Sequence, residues 1–222
     1  MRMQYSEILM AAALLALGGC ATPPKTDYTE FLQARPSTIL VLPPVNDSPD
    51  VKASPAVWSH ATRPLAEAGY YVYPAALVDE TFHQNGLTTP TDIQQIAPQK
   101  LREVFGADAA LYLHVSKFGT SYAVITSETR VTVEAKLVDL RTGTVLWSGA
   151  ATSSSAEGQQ NQGGLIGLLV GAVVRQIIGS VSEAGYKYAA VTDDRLLGAP
   201  RMNGLLLGPR SATPWQVPAP RQ

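Results

Sequence analysis

Ser121 lies in a short segment that resembles the turn on which hydrolases carry a nucleophilic serine. Residues 119–123 read GTSYA, so a glycine precedes the serine by two positions, but Ala123 stands where the second glycine belongs. Such a turn must also lead from a strand into a helix, whereas the residues after Ser121 predict another strand. The sequence therefore disfavours catalysis by Ser121. A hydrolase acting on lipid or peptidoglycan is kept only as an alternative function.

Three histidines, His60, His83 and His114, are the residues that could act as general bases. His83 follows Asp79 and Glu80 on a predicted helix, which is typical of a solvated surface group. His114 lies within a predicted strand, where alternation points its side chain away from the core. All three are interpreted as structural residues.

The sequence predicts neither a cofactor nor a metal. A single cysteine excludes a Cys-based zinc site and an intrachain disulfide. A Walker motif is missing, as is a G-x-G-x-x-G after a strand. Gly163 and Gly164 precede a predicted helix, but the lysine and hydroxyl residue of a phosphate loop do not follow them. Residues 139–143 (DLRTG) predict a hairpin turn, in which the aspartate bonds the backbone and the glycine takes a positive φ.

Cys20 is the residue whose position does indicate a reaction. It follows Leu17, Gly18 and Gly19, which together form the lipobox of bacterial lipoproteins. Small residues before the scissile bond fit the signal peptidase, and the thiol of the new N-terminus receives diacylglycerol. Residues 1–19 are therefore predicted to be a lipoprotein signal peptide.

The segment before Cys20 has the composition of such a signal peptide. Arg2 supplies the positive charge, and residues 8–17 form an apolar stretch about half the ~20 residues that span a bilayer. Glu7 is an atypical acidic residue in this region. Ala21, rather than aspartate, follows the cysteine, and the bacterial sorting rule then favours the outer membrane. We predict an outer-membrane protein that faces the periplasm and is held by lipid chains on Cys20.

The composition fits one compact domain. The 222 residues are 45% hydrophobic, which excludes a wholly disordered chain. The formal net charge is −1, and this argues against binding to nucleic acid, which requires a basic excess.

The hydrophobic pattern predicts an α/β fold, with a mixed β-sheet flanked by helices, in one domain over residues 37–195. Residues 37–42 predict a strand buried on both faces, and residues 131–137 alternate as a half-buried strand. Separate strands are predicted at residues 109–115 and 121–125. Helices are predicted to start at Ser54, Ala75, Thr91 and Pro98. Residues 20–36 predict a lipidated tether and a short helix.

The region after residue 152 carries three further predictions. Residues 153–164 are polar and predict a mobile loop, and residues 165–188 predict a long helix. Gly163, Gly167, Gly171 and Gly179 fall at multiples of four residues and form a flat stripe on that helix. The stripe can pack against the sheet of its own domain, or against a partner, a second copy or the membrane surface. Residues 196–222 are rich in proline and glycine and predict a largely disordered tail, which residues 205–207 could dock on the domain.

Several motifs of this chain resemble a family of Gram-negative lipoproteins of unknown function, typified by a meningococcal surface lipoprotein found in vaccine screening. The resemblance covers most of residues 28–190. The motifs are residues 39–46 (ILVLPPVN), 63–66 (RPLA), 69–72 (GYYV), 78–82 (VDETF), 101–109 (LREVFGADA) and 163–167 (GGLIG). More remotely, residues 137–147 resemble a hairpin of CsgG-like secretion lipoproteins and of the TolB N-terminal domain. These resemblances imply a mixed sheet flanked by helices and no assigned catalytic residues.

The leading functional hypothesis is a non-enzymatic accessory component of a periplasmic export or envelope-assembly complex. The resemblance implies a CsgG-like lipoprotein or another envelope protein as the partner. A regulatory lipoprotein that docks on a peptidoglycan synthase is the alternative of the same kind, and the hydrolase is the enzymatic alternative.

Overall fold

The computed structural model describes residues 26–122, 127–157 and 181–218. Within these ranges, helices and strands alternate before a long antiparallel meander. The helices are α1 (Thr29–Ala34), α2 (Ala53–Glu67), α3 (Ala75–Gln84), α4 (Pro90–Gln94), α5 (Pro98–Phe105) and α6 (Val181–Leu197). The strands are β1 (Thr38–Val41), β2 (Val45–Asn46), β3 (Tyr71–Val72), β4 (Ala109–Tyr122), β5 (Ser127–Asp139) and β6 (Val145–Ser154).

The strands form one mixed sheet in the order β3-β1-β4-β5-β6, with β2 also paired to β4. β1 runs parallel to β3 and β4, whereas β4, β5 and β6 are antiparallel neighbours. The predicted fold class, a mixed sheet flanked by helices, is confirmed.

Two apolar clusters lie on opposite faces of the sheet. The larger cluster packs α1, α2, α6 and the C-terminal segment against one face of the sheet, which we call the inner face. Ile39 and Val41 of β1 are fully or almost fully buried there. The smaller cluster packs α3, α4 and α5 against the opposite, outer face, where Leu40 and Leu42 are buried. β1 is thus covered on both sides, as its continuous apolar run predicts.

β4 is one strand where the sequence predicted two. Val115 pairs with Val133 and Lys117 with Thr132, so Ser116 is an extra residue that forms a bulge. The bulge shifts the alternation by one position, which turns Phe118 toward the core. The apolar pattern therefore breaks at Ser116 while the strand continues to Tyr122.

Helix starts differ from the predicted ones by up to two residues. α2 begins at Ala53, and the Ser54 hydroxyl donates to the Pro44 carbonyl instead of capping the helix. α4 begins at Pro90, and Thr89 is the cap because its hydroxyl accepts from the Asp92 amide. The cap lies two residues before the predicted Thr91, since proline is favoured at the first helical position.

The prediction of a largely disordered C-terminal tail is wrong for residues 198–218, but the docking of residues 205–207 on the domain is confirmed. Leu205 and Leu206 are fully buried in the larger cluster. The Gly208 amide donates to the Ala68 carbonyl at 2.7 Å, and the Tyr70 hydroxyl donates to the Leu206 carbonyl at 2.6 Å. We call residues 198–218 the C-terminal strap. The prediction of disorder came from its prolines and glycines. It failed because the residues that hold the strap in place are far away in sequence.

Other predictions lie wholly or partly outside the described residues. These are the signal peptide with Leu17, Gly18, Gly19 and Cys20, most of the tether, and the segment with Gly163, Gly167, Gly171 and Gly179. The predicted polar loop lies partly inside them, and its first two residues, Ser153 and Ser154, are buried at the end of β6. The long helix extends beyond residue 188 to Leu197. Among the described helices, none is long and apolar enough to cross a membrane.

Candidate interaction surface

The outer face of β4, β5 and β6 remains open and carries a groove of about 700 Å³. Alternation along β5 points Val133, Ala135 and Leu137 into the core and leaves Glu134 and Lys136 exposed. On the neighbouring strands, His114 pairs with Glu134, and both Tyr112 and Ser148 pair with Lys136. We call this groove, with its lining residues Gln94, Tyr112, His114, Glu134, Lys136 and Ser148, the open face.

A proline break shapes one rim of the open face. Val41 pairs with Leu111 and Val45 with His114, so an advance of four residues from β1 to β2 matches an advance of three residues along β4. Pro43 and Pro44 lie in this step and have no amide hydrogen to pair. Gln94 of α4 spans the gap, since its side-chain amide donates to the carbonyls of Pro43 at 2.8 Å and Leu113 at 3.0 Å. The rim is therefore fixed by hydrogen bonds.

His114 lies between two carboxylates on the open face. Its Nε2 is 2.7 Å from Asp47 Oδ2, and its Nδ1 is 3.9 Å from Glu134 Oε2. The His114 side chain is 37% exposed and those of the two acids are 63% and 58% exposed. These groups are open to water and can exchange their hydrogen bonds for those of a partner. The arrangement suits polar recognition.

The structure does not bring the candidate catalytic residues together. The Ser121 hydroxyl is near the end of β4 and donates to the Glu128 carbonyl at 3.5 Å, not to an imidazole. His83 lies on α3, with Nε2 3.8 Å from Asp79 Oδ1, and both side chains are about half exposed, as predicted.

His60 of α2 packs with its ring centroid 4.3 Å from that of Tyr186 on α6. Its Nε2 is buried and has no hydrogen-bond partner among the described residues. Burial, followed by the charge of Arg63, lowers the pKa of His60 below its usual value. This imidazole acts as a neutral ring in the contact between two helices.

Asp193 is a buried carboxyl group that sequence reasoning missed. It is 0% exposed on α6, and neither carboxylate oxygen has a hydrogen-bond partner in the described part of the chain. Burial raises the pKa of Asp193 well above its ordinary value, and the charge of Asp194 adds to this. A sequence signal existed, because Asp193 falls four residues from the apolar positions Ala189 and Leu197 on the buried stripe.

Across residues 26–122, 127–157 and 181–218, no group of three or more His, Cys, Asp or Glu side chains could hold a metal ion.

Comparisons with known proteins give one consistent result. A family model described as "Putative lipoprotein GNA1162-like" matches residues 26–210. A relative from Neisseria meningitidis serogroup B, "Putative lipoprotein NMB1124/NMB1162", is 48% identical over 205 residues, which are 91% of this chain and 95% of the relative. Neither description names an enzymatic activity.

Solved structures of similar proteins are also known. The crystal structure of lipoprotein GNA1162 from Neisseria meningitidis is 48% identical, covers 65% of this chain and 100% of that chain, and superposes with a TM-score of 0.51. A PelC dodecamer from Paraburkholderia phytofirmans is 16% identical, covers 81% of this chain and 96% of that chain, and superposes with a TM-score of 0.43.

Proposed function

This chain belongs to the GNA1162-like lipoprotein family, as its motifs predicted, and we propose that it is a non-enzymatic component of an envelope-assembly or export complex. In this proposal the protein is held at the periplasmic side of the outer membrane by lipid chains on Cys20. Its partner is a protein of the same complex, in the first place a CsgG-like lipoprotein.

The lipobox supports the anchored part of the proposal. Leu17, Gly18 and Gly19 precede Cys20, and Ala21 follows it. A lipid chain contributes about 0.8 kcal/mol of binding per buried methylene, and two or more chains together give stable anchoring. A soluble domain can then stay at the membrane without a spanning segment.

The open face carries the assembly part of the proposal. Its exposed groups carry charges of both signs, with Lys136 two residues from Glu134 on β5, and Asp47 lies beside His114. Such a pattern matches a partner of complementary charges and sets the register of binding. The small residue Ala150 in the groove leaves room for a partner's side chains. We include the stripe of Gly163, Gly167, Gly171 and Gly179 as a second contact, with a partner or a second copy.

Site-specific photo-crosslinking in intact cells tests this function. A photoreactive amino acid replaces Lys136 on the open face, and a matched control replaces Leu77, which is 55% exposed on α3. We expect an adduct with an envelope protein from position 136 and none of that mass from position 77.

The identity of the adduct decides between functions. A CsgG-like lipoprotein or another assembly protein supports the proposal. A peptidoglycan synthase would overturn the export role and make the protein a regulator of wall synthesis. Equal adducts from both positions, or none from position 136, would contradict a partner on the open face.

A further inference from the structure

The tether joins the domain beside the C-terminal strap. The Thr26 amide donates to Asn203 Oδ1 at 3.1 Å, and the Tyr28 hydroxyl donates to the Gly204 carbonyl at 2.6 Å. Trp147, near the start of β6, donates from its indole to the Asn203 carbonyl at 3.0 Å. The chain that arrives from Cys20 is therefore fixed at one end of the sheet. We call this end, with Thr26, Tyr28, Asn203 and Gly204, the anchor end.

The opposite end of the domain is defined by where α2 and α6 begin. α2 and α6 both run toward the anchor end, where α6 leads directly into the strap. The first turns of α6 pack beside Phe118, because a Cβ on Gly185 would lie 2.7 Å from that ring. α6 has 17 residues, which at 1.5 Å each give a length of about 25 Å. Phe118 and the start of α6 therefore mark the distal end.

Because the tether is short, the anchor end can reach the membrane surface more readily than the distal end can. Five residues lie between Cys20 and Thr26, and the six steps along a fully extended chain reach about 20 Å. The tether begins at the lipid surface and ends at Thr26, which is hydrogen-bonded to Asn203. The groups next to Asn203 are consequently those that lie within easiest reach of the lipid.

The loop at this place has the side chains that a lipid surface binds. Met202 is 61% exposed, one of the most exposed large apolar side chains of the described residues. Arg201 beside it is also exposed. A flexible apolar side chain can enter the boundary between headgroups and acyl chains. A guanidinium can bind a lipid phosphate through two parallel hydrogen bonds.

We propose that the loop of residues 200–203 contacts the phospholipid surface of the membrane that carries the anchor. Met202 enters the headgroup region and Arg201 binds phosphate. The distal end then points away from the lipid. This inference rests on the proposed lipidation of Cys20, which fixes where the tether begins.

Fluorescence quenching on vesicles tests the orientation. The full-length lipidated protein is purified as Met202→Cys, and as Val51→Cys for the matched control. Val51 is 85% exposed and directly precedes Lys52, which shares a groove with Phe118 and Tyr186 at the distal end. Cys20 is the only native cysteine and its thiol is blocked by lipid, so the introduced thiol takes the fluorescent label.

The vesicles contain phosphatidylethanolamine and phosphatidylglycerol with a spin label on a fraction of the headgroups. We expect the headgroup spin label to quench fluorescence from position 202 several-fold more than from position 51. Equal quenching, or stronger quenching at position 51, would overturn the orientation.

Flotation of the same vesicles separates failure of this inference from failure of the anchor. Lipidated protein floats with the vesicles and shows the added mass of its acyl chains. Protein that neither floats nor carries this mass refutes the lipidation of Cys20. Protein that floats without preferential quenching at position 202 refutes only the contact of this loop with lipid.

Discussion

At the scale of single residues, the carboxyl group of Asp193 is the clearest departure from ordinary packing. Buried carboxyl groups in folded proteins are normally paired or hydrogen-bonded. Asp193 is fully buried on α6, as are Ala189 and Leu197 four residues to either side, and none of the described residues supplies a hydrogen bond to it. The group therefore remains protonated in the folded chain at pH values where an exposed aspartate is charged.

This burial makes stability depend on pH with a definite sign. Below the ordinary pKa of 3.8, Asp193 is protonated in both the folded and the unfolded chain, and it contributes no pH dependence. Above that value the unfolded chain releases the proton while the folded chain retains it, so the contribution of Asp193 to stability falls as the pH rises. The fall continues up to the raised pKa of the folded state.

Asp193→Asn removes the ionisation and should remove this fall. We expect little change in melting temperature relative to the unmodified chain near pH 4, and a growing advantage of the variant toward about pH 7. Asp194→Asn is the control, because Asp194 is 43% exposed and pairs with Arg63 at 2.7 Å, a surface ion pair that contributes about 0–1 kcal/mol. A constant difference between Asp193→Asn and the parent across this range would contradict the account.

At the scale of elements, the C-terminal strap closes the larger core cluster. Its backbone approaches the turn after α2 so closely that two glycines meet. A Cβ on Gly208 would lie 2.7 Å from the Gly69 carbonyl oxygen, and Gly69 itself has φ +95°. The carbonyl oxygen belongs to the backbone and a Cβ is bonded directly to it, so neither atom of this contact can rotate away.

Gly69→Ala places a Cβ 2.7 Å from the Ser211 amide nitrogen of the strap, so it should loosen the strap and lower stability by about 1–3 kcal/mol more than its control, the usual cost of overpacking. Gly86→Ala is the matched control, since Gly86 also has a positive φ but no atom within 4 Å of the added Cβ. Urea unfolding of the two variants measures the difference. An equal or smaller loss in Gly69→Ala than in Gly86→Ala would show that the strap does not depend on this approach.

Elements with local patterns could be predicted from the sequence, and elements that depend on distant partners could not. The helix Ala75–Gln84 begins at the predicted residue, and the strand through Val131 and Leu137 follows its alternation. The bulge at Ser116 hides the continuity of β4, because one extra residue shifts the apolar period. The docking of residues 205–207 was predicted from their apolar side chains, but the order of the whole strap was not, since it depends on Ala68, Gly69 and Tyr70, far earlier in the chain.

The candidate site was predictable only in part. Alternation placed His114 outside the core, but its contact with Asp47 requires β2 to pair with β4 after the proline break. Nothing in the local sequence predicts that pairing. The candidates Ser121, His60 and His83 lie on separate elements, which only the topology shows.

At the scale of the whole molecule, the domain has two ends with different surroundings. The tether and the strap meet at the anchor end, while Phe118 and the start of α6 lie at the distal end. β6 also ends at the distal end, because Ser153 pairs with Val131, the partner of Phe118 on β4. In our proposal, this end of the sheet points away from the lipid anchor.

The lipid on Cys20 is the central claim, because localisation, orientation and access to a partner all depend on it. The measurement is fractionation of cells that produce the parent chain or Cys20→Ala, with mass spectrometry of the N-terminal peptide. We predict an acylated peptide that begins at Cys20 in the outer-membrane fraction for the parent, and an uncleaved or mislocalised precursor for the variant. Normal outer-membrane fractionation of Cys20→Ala would contradict the account.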